Sequence, residues 1–493
     1  MIQLLRRRRR GERGYVLATT ALVLIPMLIV AGMAIDFGGL YTEAAKMQRA
    51  ADAAALAGVV WLPNLTNATT VAKASAKENG YDDALANITV TVTQLAETEL
   101  KVTITNSASP IYLAKMVKQS ASVTRSSTAD YVLPVPLGSP KNYFGTGDMI
   151  SGTARENFYA AVNNSCWDKI QGDPFAVSNI SATCSGAANT QFRASPKNQY
   201  EYYIELPAGR TQSVVVSIWS PADPSKDAAD PGGTTSSSNV TLTFNLQTAD
   251  STPLDDSDNP VTSCTGSGES NPRTYTAVDN DATLLGRAGW STFCTIPSTA
   301  PAGKYILGVR NKQPETGTMG LNAYSIMASY NGAGVTCDGR TDTTCPKIYG
   351  KSWISIYANA TGSQAKFFLA EIGPQHAGKT VKITLFDPGE GGDNIRLIKP
   401  DGSYASFTAQ DMGTDGNSPG TLISSSSALD VTASKYNGKF VELTTVLPLN
   451  YNALGYSDYW WKVEYNFAGG STKVTDRTTW GVRVIGDPVH LTE

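Results

Sequence analysis

The sequence predicts a single N-terminal transmembrane helix continuing into a small α+β base, followed by two mainly β domains of the β-sandwich or jelly-roll kind. Three observations predict it. No charged residue stands between Arg13 and Asp36, a gap that at helical rise covers about 33 Å against a bilayer core of about 30 Å. The remainder of the 493 residues consists largely of short alternating apolar and polar stretches, punctuated by 44 glycines and 25 prolines. All six cysteines lie beyond the apolar segment, as in a body exported from the reducing cytosol.

Taken in order, residues 1–14 form a basic tail carrying Arg6, Arg7, Arg8, Arg9, Arg10 and Arg13. Basic flanks stay on the cytoplasmic side, so the span at 15–35 should leave the rest of the chain outside the cell membrane. From Leu40 to Trp61 the chain is rich in alanine and free of proline, which predicts that the helix runs on past the membrane. Leu40, Ala44, Met47, Ala51, Ala54 and Leu56 approximate one stripe, with Glu43, Lys46, Arg49 and Asp52 set off it. That stripe reads as packed core before it reads as an assembly surface.

The order of arginine-glycine, an apolar span with Pro26 inside it, AIDFGGLY (Ala34 to Tyr41) and MQRAADAAALAG (Met47 to Gly58) resembles a known family. It is similar to the N-terminal region of TadG-like (TadE/TadG-like) proteins of the tight-adherence (Flp) pilus assembly system. The resemblance implies a membrane-anchored component of the bacterial cell envelope, structural or scaffolding, whose partners are other pilus assembly proteins. It covers the anchor and not the C-terminal three-quarters.

The base, 36–132, should then contain a helix over Asn67–Asn79 ended by Asn79-Gly80, and a hairpin of Ile88–Leu95 with Glu99–Asn106. A short helix over Ser109–Lys118 and a strand over Ser120–Val132 complete it, in an order that also resembles TadG-like proteins. Residues 133–150, dense in proline and glycine, read as a linker. The first β domain, 151–350, is framed by Tyr200–Pro221 and Pro301–Asn311, with a clean strand at Asn239–Asp250 between them. The second, 351–493, has strands in WISIYANA, AKFFLAEIG, KTVKITLF, NIRLIKP, KFVELTTVL, DYWWKVEYNF and TTWGVRVIG. The pattern resembles bacterial pre-peptidase C-terminal-type β-sandwiches. The two regions read as distant repeats, each with an aromatic strand, a short turn, and an apolar strand ending at WSPADP or FDPGEG.

Charge narrows the partners. The chain is at −3, and setting aside the N-terminal arginines leaves a distinctly more acidic body, which disfavours nucleic acid, a partner that needs a basic surface. The even cysteine count without CxxC knuckles predicts disulfides rather than zinc. Six cysteines permit about 15 pairings, and the local one is expected, Cys166 with Cys184, Cys264 with Cys294, and Cys337 with Cys345. Asp255, Asp256 and Asp258 beside Asn259 cluster oxygens that could take Ca²⁺, and GEGGDN (Gly389 to Asn394) is a lesser candidate. Neither has EF-hand spacing, so exposed turns are expected. DGSYAS after Pro400 has Ala405 where a von Willebrand A metal motif needs its second serine, and it too reads as a turn. The two histidines, His376 and His490, stand outside any G-x-S-x-G or H-E-x-x-H setting, so no catalytic residue, cofactor or enzymatic role is predicted. The competing class is a surface-displayed adhesin or glycan-binding module, for which Trp460 and Trp461 could be stacking platforms, although aromatics in such a strand are more often core. Finally, cleavage after Gly11 or Gly14 would put Val16 or Thr19 where a polymerising pilin carries glutamate, so the helix is expected to remain a fixed anchor.

Overall fold

A computed structural model describes residues 13–62, 65–95, 99–111, 120–131, 135–145, 158–163, 169–176, 189, 199–225, 240–248, 259–277, 290–311, 321–330, 335–389, 391–467, 473–485 and 489–491. The chain divides into two compact units, 1–133 with 487–493, and 134–486.

The N-terminal unit is built on α1 (Arg13–Val59), one helix of 47 residues that runs through Pro26, and α2 (Leu65–Glu78). Gly80, at φ +94°, ends the second helix in a conformation that glycine adopts without a Cβ penalty. β1 (Ile88–Gln94), β2 (Glu99–Pro110) and β3 (Ser120–Tyr131) follow as an antiparallel meander. Its core sets Met47, Ala50, Ala51, Ala54 and Val59 of α1 and Ala68, Ala72 and Ala76 of α2 against Val90, Leu100, Val102 and Ile104. Small residues let the helices approach closely. A Cβ on Gly58 would lie 2.8 Å from Leu100 Cδ2 and 2.9 Å from Ala72 Cβ, where no room exists. The helix expected over Ser109–Lys118 is corrected at its start, because Ser109 and Pro110 continue β2. Strand pairing of Ser109 with Ala121 outweighs the local proline signal, and 112–119 lie outside the described residues.

The large unit is almost entirely strand. Its first stretch holds β4 (Tyr143–Phe144), β5 (Phe158–Asn163), β6 (Tyr200–Leu206), β7 (Val214–Ser225), β8 (Val240–Thr248), β9 (Arg273–Ala277), β10 (Trp290–Ile296), β11 (Gly303–Asn311), β12 (Leu321–Ser329) and β13 (Lys347–Gly350). The second holds β14 (Ile354–Thr361), β15 (Gln364–Glu371), β16 (Thr380–Phe386), β17 (Gly392–Ile398), β18 (Phe407–Asp411), β19 (Leu422–Ser426), β20 (Leu429–Asp430), β21 (Phe440–Val446), β22 (Trp460–Phe467) and β23 (Lys473–Ile485). A last strand, β24 (Val489–Leu491), returns to the N-terminal unit and pairs antiparallel with the end of β3.

An eleven-stranded sheet runs β10-β7-β12-β5-β14-β23-β16-β21-β18-β19, with β4 paired to β12. Two smaller sheets, β13-β6-β11-β8-β9 and β15-β22-β17-β20, share one apolar core with it. Strand order shows the repeat that the sequence suggested. The run β5-β12-β7-β10 matches β14-β23-β16-β21, and β6-β11-β8-β9 matches β15-β22-β17-β20, strand for strand in chain order. The two copies meet where their first strands pair antiparallel, with Tyr159 opposite Tyr357. Those rings stack at 6.3 Å, and Trp219 stacks on Tyr159 at 5.4 Å, on the face away from the main core.

Residues expected in a linker contribute to the same unit. Leu137, fully buried, exchanges backbone hydrogen bonds with Gly350 of β13, and the flanking Pro136 and Gly138 bond to Glu371 and Leu369 of β15. The segment thus fills the gap between the two smaller sheets; its apolar Val135, Leu137 and Phe144 outweigh the loop signal of its prolines and glycines.

Candidate functional site

The surface that calls for a function is the first half of α1. Leu22, Val23, Leu24, Met27, Leu28, Ile29, Val30, Met33, Ile35 and Phe37 are all exposed, an apolar surface that soluble domains rarely leave in water. Among the described residues this is the one helix long and apolar enough to cross a membrane. From Ala44 onward the same helix is buried on one side, so a single element passes from a largely exposed apolar stretch to a packed foot.

Polar side chains fix that foot. Glu43 Oε1 accepts from the Tyr81 hydroxyl at 3.3 Å and from Asn106 Nδ2 at 3.1 Å, tying α1 to both the loop after α2 and to β2. Burial, reinforced by the Glu43 charge and hydrogen bond, pushes the Tyr81 phenol up to about 12. One turn and more further on, Gln48 Nε2 donates to Asp52 Oδ1 and to the Ser126 carbonyl of β3. Asp83 takes Lys73 Nζ at 2.6 Å and the Val90 amide at 2.7 Å; these two bonds hold its carboxyl below the usual range. Direct contacts within this unit therefore join α1, from Glu43 onward, to the sheet.

The other residues singled out in the sequence fall as follows. Arg13 opens α1, whereas Arg6, Arg7, Arg8, Arg9 and Arg10 lie outside the described residues. Cys264 bonds to Cys294 and Cys337 to Cys345; Cys166 and Cys184 lie outside the described residues, as do Asp255, Asp256 and Asp258. Cys264, Cys294 and Glu269 bring three donor atoms within 4.8 Å of one another. Both sulfurs are spent in the disulfide, and the Glu269 carboxylate accepts the amides of Gly266 and Thr295 and the Thr295 hydroxyl. The arrangement is a clasp rather than a ligand set.

Within GEGGDN, the Gly389 amide donates to both oxygens of buried Asp476, and Asn394 accepts from Asn466, so the stretch turns the chain into β17. In DGSYAS, Asp401 accepts the hydroxyl and amide of Ser403, and the hydroxyl bond above all draws its carboxyl down against the opposing effect of burial: a turn, as expected. The tryptophans take the core place and not the sugar-stacking one. Trp460 and Trp461 are 4% and 2% exposed, and Trp461 Nε1 donates to the Tyr451 hydroxyl, which donates to the Ile372 carbonyl. With both rings in the core, neither can stack on a sugar. His376 is likewise buried, in a single turn of 3₁₀ helix.

No curated protein matches the chain. Residues 14–62, the apolar stretch together with its packed foot, match the family described as putative Flp pilus-assembly TadE/G-like, and the N-terminal part of the molecule is similar to that family.

Proposed function

We propose that this protein is a single-pass, outward-facing structural component of a tight-adherence (Flp/Tad) pilus assembly system, holding a large β body at the outer face of the membrane. The observation that carries the reading is the coincidence of the TadE/G-like match at 14–62 with a helix that is bare and apolar first and built into a sheet afterwards. The orientation rests on the arginines before the span. A scaffolding rather than catalytic role is supported by the spent disulfide clasp and the buried His376.

Two measurements test it. The full chain should stay in the membrane pellet through alkaline extraction, and protease added outside intact inner-membrane spheroplasts should digest the β body while sparing the N-terminal tail. Pilus assembly proteins should co-purify with the detergent-extracted chain. A body protected from external protease would reverse the orientation, and purification without any pilus component would remove the assembly role.

A further inference from the structure

The two ends of the eleven-stranded sheet are finished differently. At one end β10 is closed by its surroundings. Glu269 takes the Thr295 amide at 2.7 Å, Thr265 donates its amide to the Thr295 carbonyl at 3.1 Å, and Arg273 Nη1 donates to the Thr292 carbonyl at 3.1 Å. The Cys264–Cys294 disulfide pins the covering segment, and a bulge breaks the strand between Thr292 and Cys294. Such devices keep an edge from pairing with another chain.

At the other end β19 is left open. It pairs with β18 on one side, and among the described residues no other hydrogen bond reaches the backbone from Leu422 to Ser425. Leu422 is 62% exposed, no charged residue occurs from Gly416 to Leu429, and the strand holds no proline. Its single guard is an irregularity at Ser424 and Ser425 in the pairing with β18. The matching repeat ends at β10, so the β18–β19 hairpin is an addition that carries the sheet outward where its counterpart is sealed.

We propose that β19 is an assembly edge at which two copies of this chain join their long sheets, antiparallel about a two-fold axis near Ser424. A second copy fits the edge because symmetry sets a strand against itself. A charged edge would oppose like charges, whereas LISSS sets Leu422 and Ile423 against the hydroxyls of Ser426 and Ser425. The molecule already uses this join within itself, where β5 and β14 fuse the two repeats edge to edge. A five-residue edge is a small interface, and it suffices here because copies anchored in one membrane meet at high effective concentration. That last step rests on the anchored reading above.

The test uses the full chain in native membranes and in detergent. Ser424→Cys should give an intermolecular disulfide in most chains under mild oxidation, while Thr292→Cys at the sealed edge, also exposed, should give only background. Ser424→Lys and Ser424→Glu should each lose the dimer, and co-expressed together they should regain it as a mixed pair. Cross-linking of Ser424→Cys no greater than Thr292→Cys in membranes would overturn the proposal, as would charge variants that dimerise like the parent. The anchor is scored separately by alkaline extraction, so its failure and the failure of the edge give different results.

Discussion

At the scale of single residues, two ionisable groups make their environments measurable. The Tyr81 phenol titrates higher in the folded state than its ordinary 10, so its contribution to stability is complete below pH 10 and is lost as pH rises through about 12. Melting of the N-terminal unit should fall over that window, and Tyr81→Phe should flatten the fall; an unchanged slope would show that the Tyr81 phenol does not govern it. Glu442 works in the opposite direction. Burial alone would raise its carboxyl, but hydrogen bonds from Lys382 at 2.6 Å and Arg483 at 2.8 Å outweigh it and hold the carboxyl below its usual value. Its stabilisation is present above the unfolded pKa near 4.5 and disappears as pH falls below it. Glu442→Gln should therefore reduce the acid sensitivity of the β unit, read as the shift in melting temperature between pH 6 and pH 3. Trp460 and Trp461, whose place in a strand already favoured the core over a sugar platform, sit side by side in a strand that is covered on both faces.

At the scale of elements, the sequence was most legible where one period dominated. The continuous helix past the membrane, α2 and the β1–β2 hairpin were all readable from alanine content, capping and strict alternation. The stretch at 109–110 and the apolar residues among 135–144 were not, because their state is decided by pairing with distant strands and proline dominates the local signal. Helix packing gives a direct prediction. Gly58→Val should cost the N-terminal unit about 1–3 kcal/mol, the usual toll of overpacking, since its Cβ meets Leu100 and Ala72. Gly38→Ala, with nothing within 4 Å of its Cβ, should cost nothing. Chemical denaturation of the two variants decides the matter, and equal stability would mean that the foot can loosen. The disulfides are ranked by the loops they close. Cys264 and Cys294 are 30 residues apart and Cys337 and Cys345 are 8 apart, for which chain entropy gives about 3–4 and about 2–3 kcal/mol respectively. Serine replacement of the first pair should lower the midpoint of unfolding more than replacement of the second.

At the scale of the whole molecule, the repeat explains how a long chain reaches its size without separating into beads. Two eight-strand copies with the same strand order share one sheet and one core, so the large unit should unfold as a single transition rather than two; resolved calorimetric peaks for its halves would contradict this. The anchor reading adds an expectation at the same scale: the mature protein should keep its span, with an intact mass that includes residues 15–35, and a mature N-terminus at Ile35 would make it a released protein instead. A different consequence follows from the return of β24 to β3. The first unit to leave the ribosome is the last to be completed, because its final strand is made only after all of 134–486. Every chain that ends before Val489 therefore leaves β3 as the unpaired edge of a three-stranded sheet, however completely the large unit has been made.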